Sequence, residues 1–205
     1  MSSQKQMYTL TKKVRTEIIV KDSRFIAELI PCKTQAEARN ILQEQKKIYK
    51  DARHVVHAFV LGINKEIQGM SDDGEPAGTA GKPSLAILVG SPISNVILTT
   101  TRYFGGTLLG TGGLVRAYGD AAREVIKKAK EENLIEEFFE LKSFSFSIDY
   151  ASYEKIKQTL SKFFVKNIFE TFESSINIKG EIKKSEYEEF CKILTDASNG
   201  NISFN

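Results

Sequence analysis

Apolar and polar positions follow two rhythms along the chain, and the changes between them outline the elements. Over residues 17–31, Ile18, Val20, Phe25, Ala27 and Leu29 alternate with polar neighbours around Lys21-Asp22-Ser23. That pattern predicts two strands joined by a turn. Thr34 and Glu37 have the spacing of a capping box, and Ala38, Ile41, Leu42, Gln45 and Tyr49 recur at helical intervals, which predicts a helix over 35–49. Residues 54–62 are apolar and β-branched and read as a strand. Residues 63–83, rich in glycine, proline and acids, read as one long loop, a class that usually carries function or mobility. A short helix is expected over 84–89, a buried strand over 95–103 and a long helix over about 114–132.

The remainder has its own order. Phe144, Phe146 and Ile148 alternate on a strand, Tyr153, Ile156, Leu160 and Phe164 keep a helical period, and 165–172 and 175–182 read as a strand pair. Tyr187, Phe190, Ile193 and Leu194 mark a second helix, and 201–205 a last short strand. The order β-α-β-β-α-β is the ferredoxin-like pattern. The expected class is therefore α+β, with an N-terminal domain over 1–138 and a ferredoxin-like domain over 139–205.

Residues 101–119, TRYFGGTLLGTGGLVRAYG, exceed what a plain connection requires. They hold six glycines, two arginines and three aromatics. A helix start leaves unpaired N–H groups carrying partial positive charge, and glycines there leave them uncovered for phosphate or carboxylate. Arg102, Gly105, Gly106, Gly110, Gly112, Gly113 and Arg116 are accordingly candidate anion- or partner-binding residues. The competing reading is structural: glycines that allow tight helix-on-sheet packing, and arginines paired with acids, Arg116 with Asp120 for one. The phosphate-binding G-x-x-x-x-G-K-[ST] pattern is absent, and Gly110-Thr111-Gly112 does not continue into G-x-G-x-x-G. Neither a nucleotide nor another cofactor is called for.

Asp72, Asp73, Glu75 and Lys82 form a second candidate contact loop. With His54 and His57 upstream, the three acids also offer an alternative, a hydrolase acting on a phosphate or peptide substrate. His54 and His57 are three apart on an expected strand and point to opposite faces, which makes them poor joint ligands. No catalytic residue and no metal site is assigned. Cys32 and Cys191 lack framework or metal spacing and fit buried thiols in a reducing compartment.

Composition adds limits. At 205 residues, 41% hydrophobic and 27% charged, the chain falls in the globular range, and no apolar run approaches the length of a membrane span. The first 14 residues are polar and basic with no apolar stretch behind them, so no secretory signal is expected and a cytoplasmic setting follows. A formal net charge of +3 does not single out a nucleic-acid binder. Residues 1–139 carry 20 Lys+Arg against 16 Asp+Glu, and residues 140–205 carry 9 against 10, so an anionic partner should prefer the N-terminal part.

The long motifs together resemble the YigZ/IMPACT family in its bacterial two-domain form. They are SDDGEPAGTAGKP over 71–83, RYFGG over 102–106, LGTGGL over 109–114 and RAY over 116–118, supported by SRFIA at 23–27 and ARH at 52–54. The resemblance is strong over about 15–130 and weaker beyond. It implies a ribosomal protein S5 domain 2-like N-terminal fold and a ferredoxin-like C-terminal domain similar to domains of a translation elongation factor. Eukaryotic members regulate translation through protein partners. For the bacterial type the resemblance implies association with RNA, the ribosome or a translation-factor protein, without established catalytic residues. The expectation is a non-enzymatic binding protein of translation.

Overall fold

The computed structural model describes residues 6–202 and 204, and the chain divides into two units, Met1–Phe138 and Phe139–Asn205. It is a mixed α/β protein built on antiparallel sheets.

In the first unit, β2 (Val14–Val20) and β3 (Ser23–Pro31) form a hairpin whose turn residues Lys21 and Asp22 have φ of 46° and 63°. That geometry matches the right-handed twist of a hairpin. β3 pairs with β6 (Val96–Tyr103), β6 with β4 (His54–Leu61), and β4 with β5 (Ile67–Ser71), which gives the order β2-β3-β6-β4-β5. The strand β5 lies inside the stretch expected to be loop. Its Gly69 stands opposite Phe59, whose ring would lie 2.3 Å from a Cβ, so the aromatic covers the glycine. Short strands β1 (Met7–Leu10) and β7 (Ile135–Phe138) form a separate ribbon.

Alternation along the strands divides the core. Phe25, Ala27, Leu29, Val56, Ala58, Val60, Val96 and Leu98 face α2 (Gly81–Gly90) and α3 (Gly110–Glu131). Leu61 and Ile97 face α1 (Gln35–Ile48), which adds Ala38. Thr34 accepts the Glu37 N–H, but the Glu37 carboxylate takes the N–H of Lys33 rather than that of Thr34, so the expected capping box closes one residue early. Both α2 and α3 begin three or four residues before their expected starts. Glycine lowers helix propensity without preventing a helix that packing supports.

In the second unit β8 (Leu141–Ile148), α4 (Tyr153–Leu160), β9 (Val165–Phe172), β10 (Ile176–Lys183) and α5 (Tyr187–Ala197) follow in order. The sheet runs β8-β10-β9, all antiparallel, and Phe204 bridges Phe146 in antiparallel sense. The strand expected over 201–205 is represented by that bridge; residues 203 and 205 lie outside the described residues, as do residues 1–5 of the expected N-terminal domain. Phe144, Phe146, Ile148, Ile176, Ile178 and Ile182 pack with Ile156 and Leu160 of α4 and Phe190 and Leu194 of α5.

Candidate functional site

The glycine-rich connection between β6 and α3 contains glycines of two kinds. Gly105 is pressed against the β2–β3 turn: a Cβ there would lie 2.0 Å from the carbonyl carbon of Asp22, and its N–H donates to Ser23 Oγ at 3.2 Å. That is close backbone packing rather than a ligand contact. Gly106 and Gly110 hold φ of 90° and 71°, which side-chain-bearing residues rarely adopt, and both face open space. Gly112 is also open, whereas a Cβ on Gly113 would lie 3.1 Å from that of Leu109.

Helix α3 begins at Gly110, and Leu109 in the capping position supplies no side-chain hydrogen bond. Its first-turn N–H groups therefore lack a side-chain cap and carry the positive end of a 22-residue helix. Residues 106–108, 110–112, 115 and 116 are exposed. Arg116 lies three and four residues after Gly113 and Gly112, on the same helical face, and helical side chains tilt toward the N-terminus. Among the described residues Arg116 makes no ion pair; Asp120, its expected partner, binds Arg123 Nη1 at 2.6 Å instead.

Arg102 occupies a different environment. It is 7% exposed, and its Nη1 donates to both carboxylate oxygens of Glu75 at 2.9 and 3.1 Å. Nη2 reaches Ser23 Oγ at 3.4 Å, and the guanidinium lies 5.6 Å from the ring centres of Phe25 and Phe104. Tyr118 of α3 donates its hydroxyl to the same Glu75 at 2.8 Å. Burial, then the Glu75 charge, raises the Tyr118 pKa far above that of a free phenol, so it remains a donor. The expectation that Arg102 faces a ligand is corrected: it is neutralised internally and joins β3, β6, α3 and the loop before α2.

The acids of that loop are similarly engaged. Asp72 accepts the N–H groups of Gly78, Ala80 and Gly81 at 2.8, 3.0 and 2.8 Å, so it caps α2 from eight or nine residues upstream. Burial opposes its ionisation, but these donors outweigh burial and hold its pKa below the usual carboxylate value. Asp73, with φ of 46°, accepts from Lys46 Nζ and from the Val55 N–H at 2.7 Å, while His54 Nδ1 donates to its backbone carbonyl. Burial again pushes upward, and the Lys46 and Val55 bonds bring its pKa down. Among the described residues no group of three or more His, Cys, Asp or Glu is placed to hold a metal ion. All three acids thus have partners within the fold, Asp72 and Asp73 through backbone N–H groups and Lys46, and Glu75 through Arg102 and Tyr118. Lys82, in the first turn of α2, is exposed.

One contact was absent from the sequence reading. Lys65, 6% exposed, donates its ammonium to the carbonyls of Leu88, Val89 and Ser91 at 2.6, 2.9 and 2.5 Å. A cation at the C-terminus of α2 and the Asp72 carboxylate at its N-terminus both complement the helix dipole. Cys32 is buried, which pushes its thiol up to about 11 and leaves it protonated.

The segment shaped this way, from the β2–β3 turn through most of α3, is also where comparison with known proteins is informative. The family model of the Impact N-terminal domain matches residues 21–126. The chain belongs to the IMPACT family. It is 37% identical over 185 residues to an IMPACT family member of Haemophilus influenzae, covering 89% of this chain and 88% of that protein. It is 34% identical to IMPACT family member YvyE of Bacillus subtilis, over 94% of this chain and 87% of that one. For IMPACT family member YigZ of Escherichia coli the figures are 33%, 89% and 89%. A crystal structure described as that of a hypothetical protein superimposes with a TM-score of 0.67 at 30% identity, covering 98% of this chain and 97% of the other. Among the described residues of this IMPACT-family chain no helix is long and apolar enough to cross a membrane.

Proposed function

We propose that this chain is a non-enzymatic, cytoplasmic binding protein of translation that holds an anionic group of RNA, or of a ribosomal or translation-factor partner, at the start of α3. The observation that carries the reading is the uncapped helix start, exposed at Gly110–Gly112, with Arg116 along the same face and in no ion pair among the described residues. Backbone N–H groups and one guanidinium suit phosphate or carboxylate and select no base sequence. Gly106, Gly110 and Gly112 keep the approach open, and Gly113 packs beside Leu109. Gly105, Arg102 and Glu75 position the connection, and Lys82 adds charge on the neighbouring helix. The translation element rests on the family resemblance. Within this reading the N-terminal unit is a ribosomal protein S5 domain 2-like module and the C-terminal unit a ferredoxin-like one. The sheet order β8-β10-β9, with Phe204 bridging β8, supports the latter.

Co-sedimentation with ribosomes tests it. The unmodified protein should pellet with ribosomes at about 50 mM salt and be released by about 200 mM, as phosphate contacts require. Arg116→Glu should remain in the supernatant at both. Absence of the unmodified protein from the pellet, or pelleting unaffected by Arg116→Glu, would contradict the proposal.

A further inference from the structure

Both helices of the second unit cover one face of its sheet and leave the other uncovered. The cross-strand register orders that open face into rows. Ser145, Lys179 and Phe169 stand side by side across β8, β10 and β9; Ser143, Glu181 and Lys166 form the next row. Phe169 is 54% exposed, and the Lys179 ammonium lies 4.8 Å from its ring centre. The Lys166 ammonium lies 5.1 Å from the Phe164 ring, itself in edge contact with Phe139 at 5.0 Å. Lys166 and Lys179 make no ion pair among the described residues, while Glu181 is engaged by the Asn167 side chain. Between these rows β9 carries one extra residue opposite Gly180, where the register shifts, and a Cβ on Gly180 would meet the Phe144 ring at 2.9 Å.

We infer that this open face binds single-stranded nucleic acid, with a base stacked on Phe169 and phosphates held by Lys179 and Lys166. The chemistry favours this partner over a protein. Across the two rows Phe169 is the one large apolar side chain; the others are two serines, two lysines and a glutamate. A protein interface needs a desolvated apolar centre that these rows lack. Single-stranded nucleic acid needs an exposed ring, nearby cations and a surface open enough to follow a backbone. The exposed ring already carries a cation at its face, which positions a charge beside a stacked base. This surface is separate from the start of α3 and does not depend on the reading proposed for it.

The test is fluorescence anisotropy of a labelled twelve-nucleotide oligouridylate titrated with the full chain at several salt concentrations. Phe169→Ala should weaken binding by roughly 5- to 100-fold, the range given by loss of one stacked base. Lys179→Gln should weaken it and flatten the salt dependence by roughly 0.7 in log–log slope. Phe169 and Lys179 are exposed, and unchanged circular dichroism would show that the variants fold. No saturable binding at low salt would overturn the inference. Binding that weakens in Arg116→Ala but not in Phe169→Ala or Lys179→Gln would also overturn it and assign the nucleic acid to α3. Phe169-dependent association with a purified ribosomal protein and none with the oligonucleotide would overturn it in favour of a protein partner.

Discussion

Glu75 leaves the loop before α2 and meets Arg102 inside the first unit, 2.9 Å from Nη1 to Oε1, with each residue only 7% exposed. Removing one member of such a pair leaves a buried charge uncompensated. Arg102→Ala should therefore cost about 3–5 kcal/mol in urea unfolding, and Glu75→Ala a similar amount. The Arg102→Met/Glu75→Leu double variant should be more stable than either single variant. A loss below about 1 kcal/mol for the single variants would show that the pair is not the junction described.

The glycines of the β6–α3 connection should respond in opposite directions. Gly105→Ala forces a methyl against the Asp22 carbonyl and should cost about 1–3 kcal/mol or more. Gly112→Ala places a methyl in open space inside a helix and should stabilise the fold by about 0.5–1 kcal/mol. If the helix start is a binding surface, the same methyl should weaken ribosome association. Greater stability with unchanged association would separate Gly112 from binding.

Lys65 supplies a third prediction. Lys65→Met keeps the aliphatic stem and removes the ammonium from three carbonyls at the end of α2. A loss of about 2 kcal/mol is expected, together with faster amide exchange in the last turn of α2. Exchange unchanged there would mean that the helix end does not depend on Lys65.

Acidity should act in two stages. The His57 pKa is lowered from its ordinary 6.5, first by burial and then by Lys46, so the folded state resists its protonation. Stability from this group is complete above about pH 6.5 and declines as pH falls through the lowered folded value. Asp72 and Asp73 are lowered from 3.8, so their contribution is complete above about pH 4 and is lost as pH falls through their folded values. His57→Phe should flatten the upper stage of a stability–pH curve and leave the lower one. A slope between pH 5 and 6.5 that persists in the variant would assign it to another group.

The sequence disclosed elements wherever packing imposes a simple period. β4 and β6 read as apolar runs because α1 covers one face of the sheet while α2 and α3 cover the other. The helices of the second unit keep an apolar stripe because only one side of each meets the sheet. β5 escaped because Gln68 and Gly69 interrupt the apolar pattern, and Gly69 is explained only by Phe59 across the ladder. β1 and β7 are four residues each, and β7 contains two glutamates, so neither has a readable period. For the candidate site, the segment was legible but the division of labour within it was not. Arg102 and Arg116 look alike in sequence, yet one is held by Glu75, 27 residues away, and the other is exposed. The sequence offers Asp72 as a contact residue; the N–H groups of Gly78, Ala80 and Gly81 that it accepts are brought to it by a turn that the fold closes.

The central claim is that the first turn of α3 and Arg116 form one anion site. The most direct measurement is a titration of the isotopically labelled protein with inorganic phosphate, followed by amide chemical shifts. The account predicts saturable shifts at Gly110, Thr111, Gly112 and Gly113 that vanish in Arg116→Ala. Shifts that are absent there, or that persist unchanged without Arg116, would contradict it.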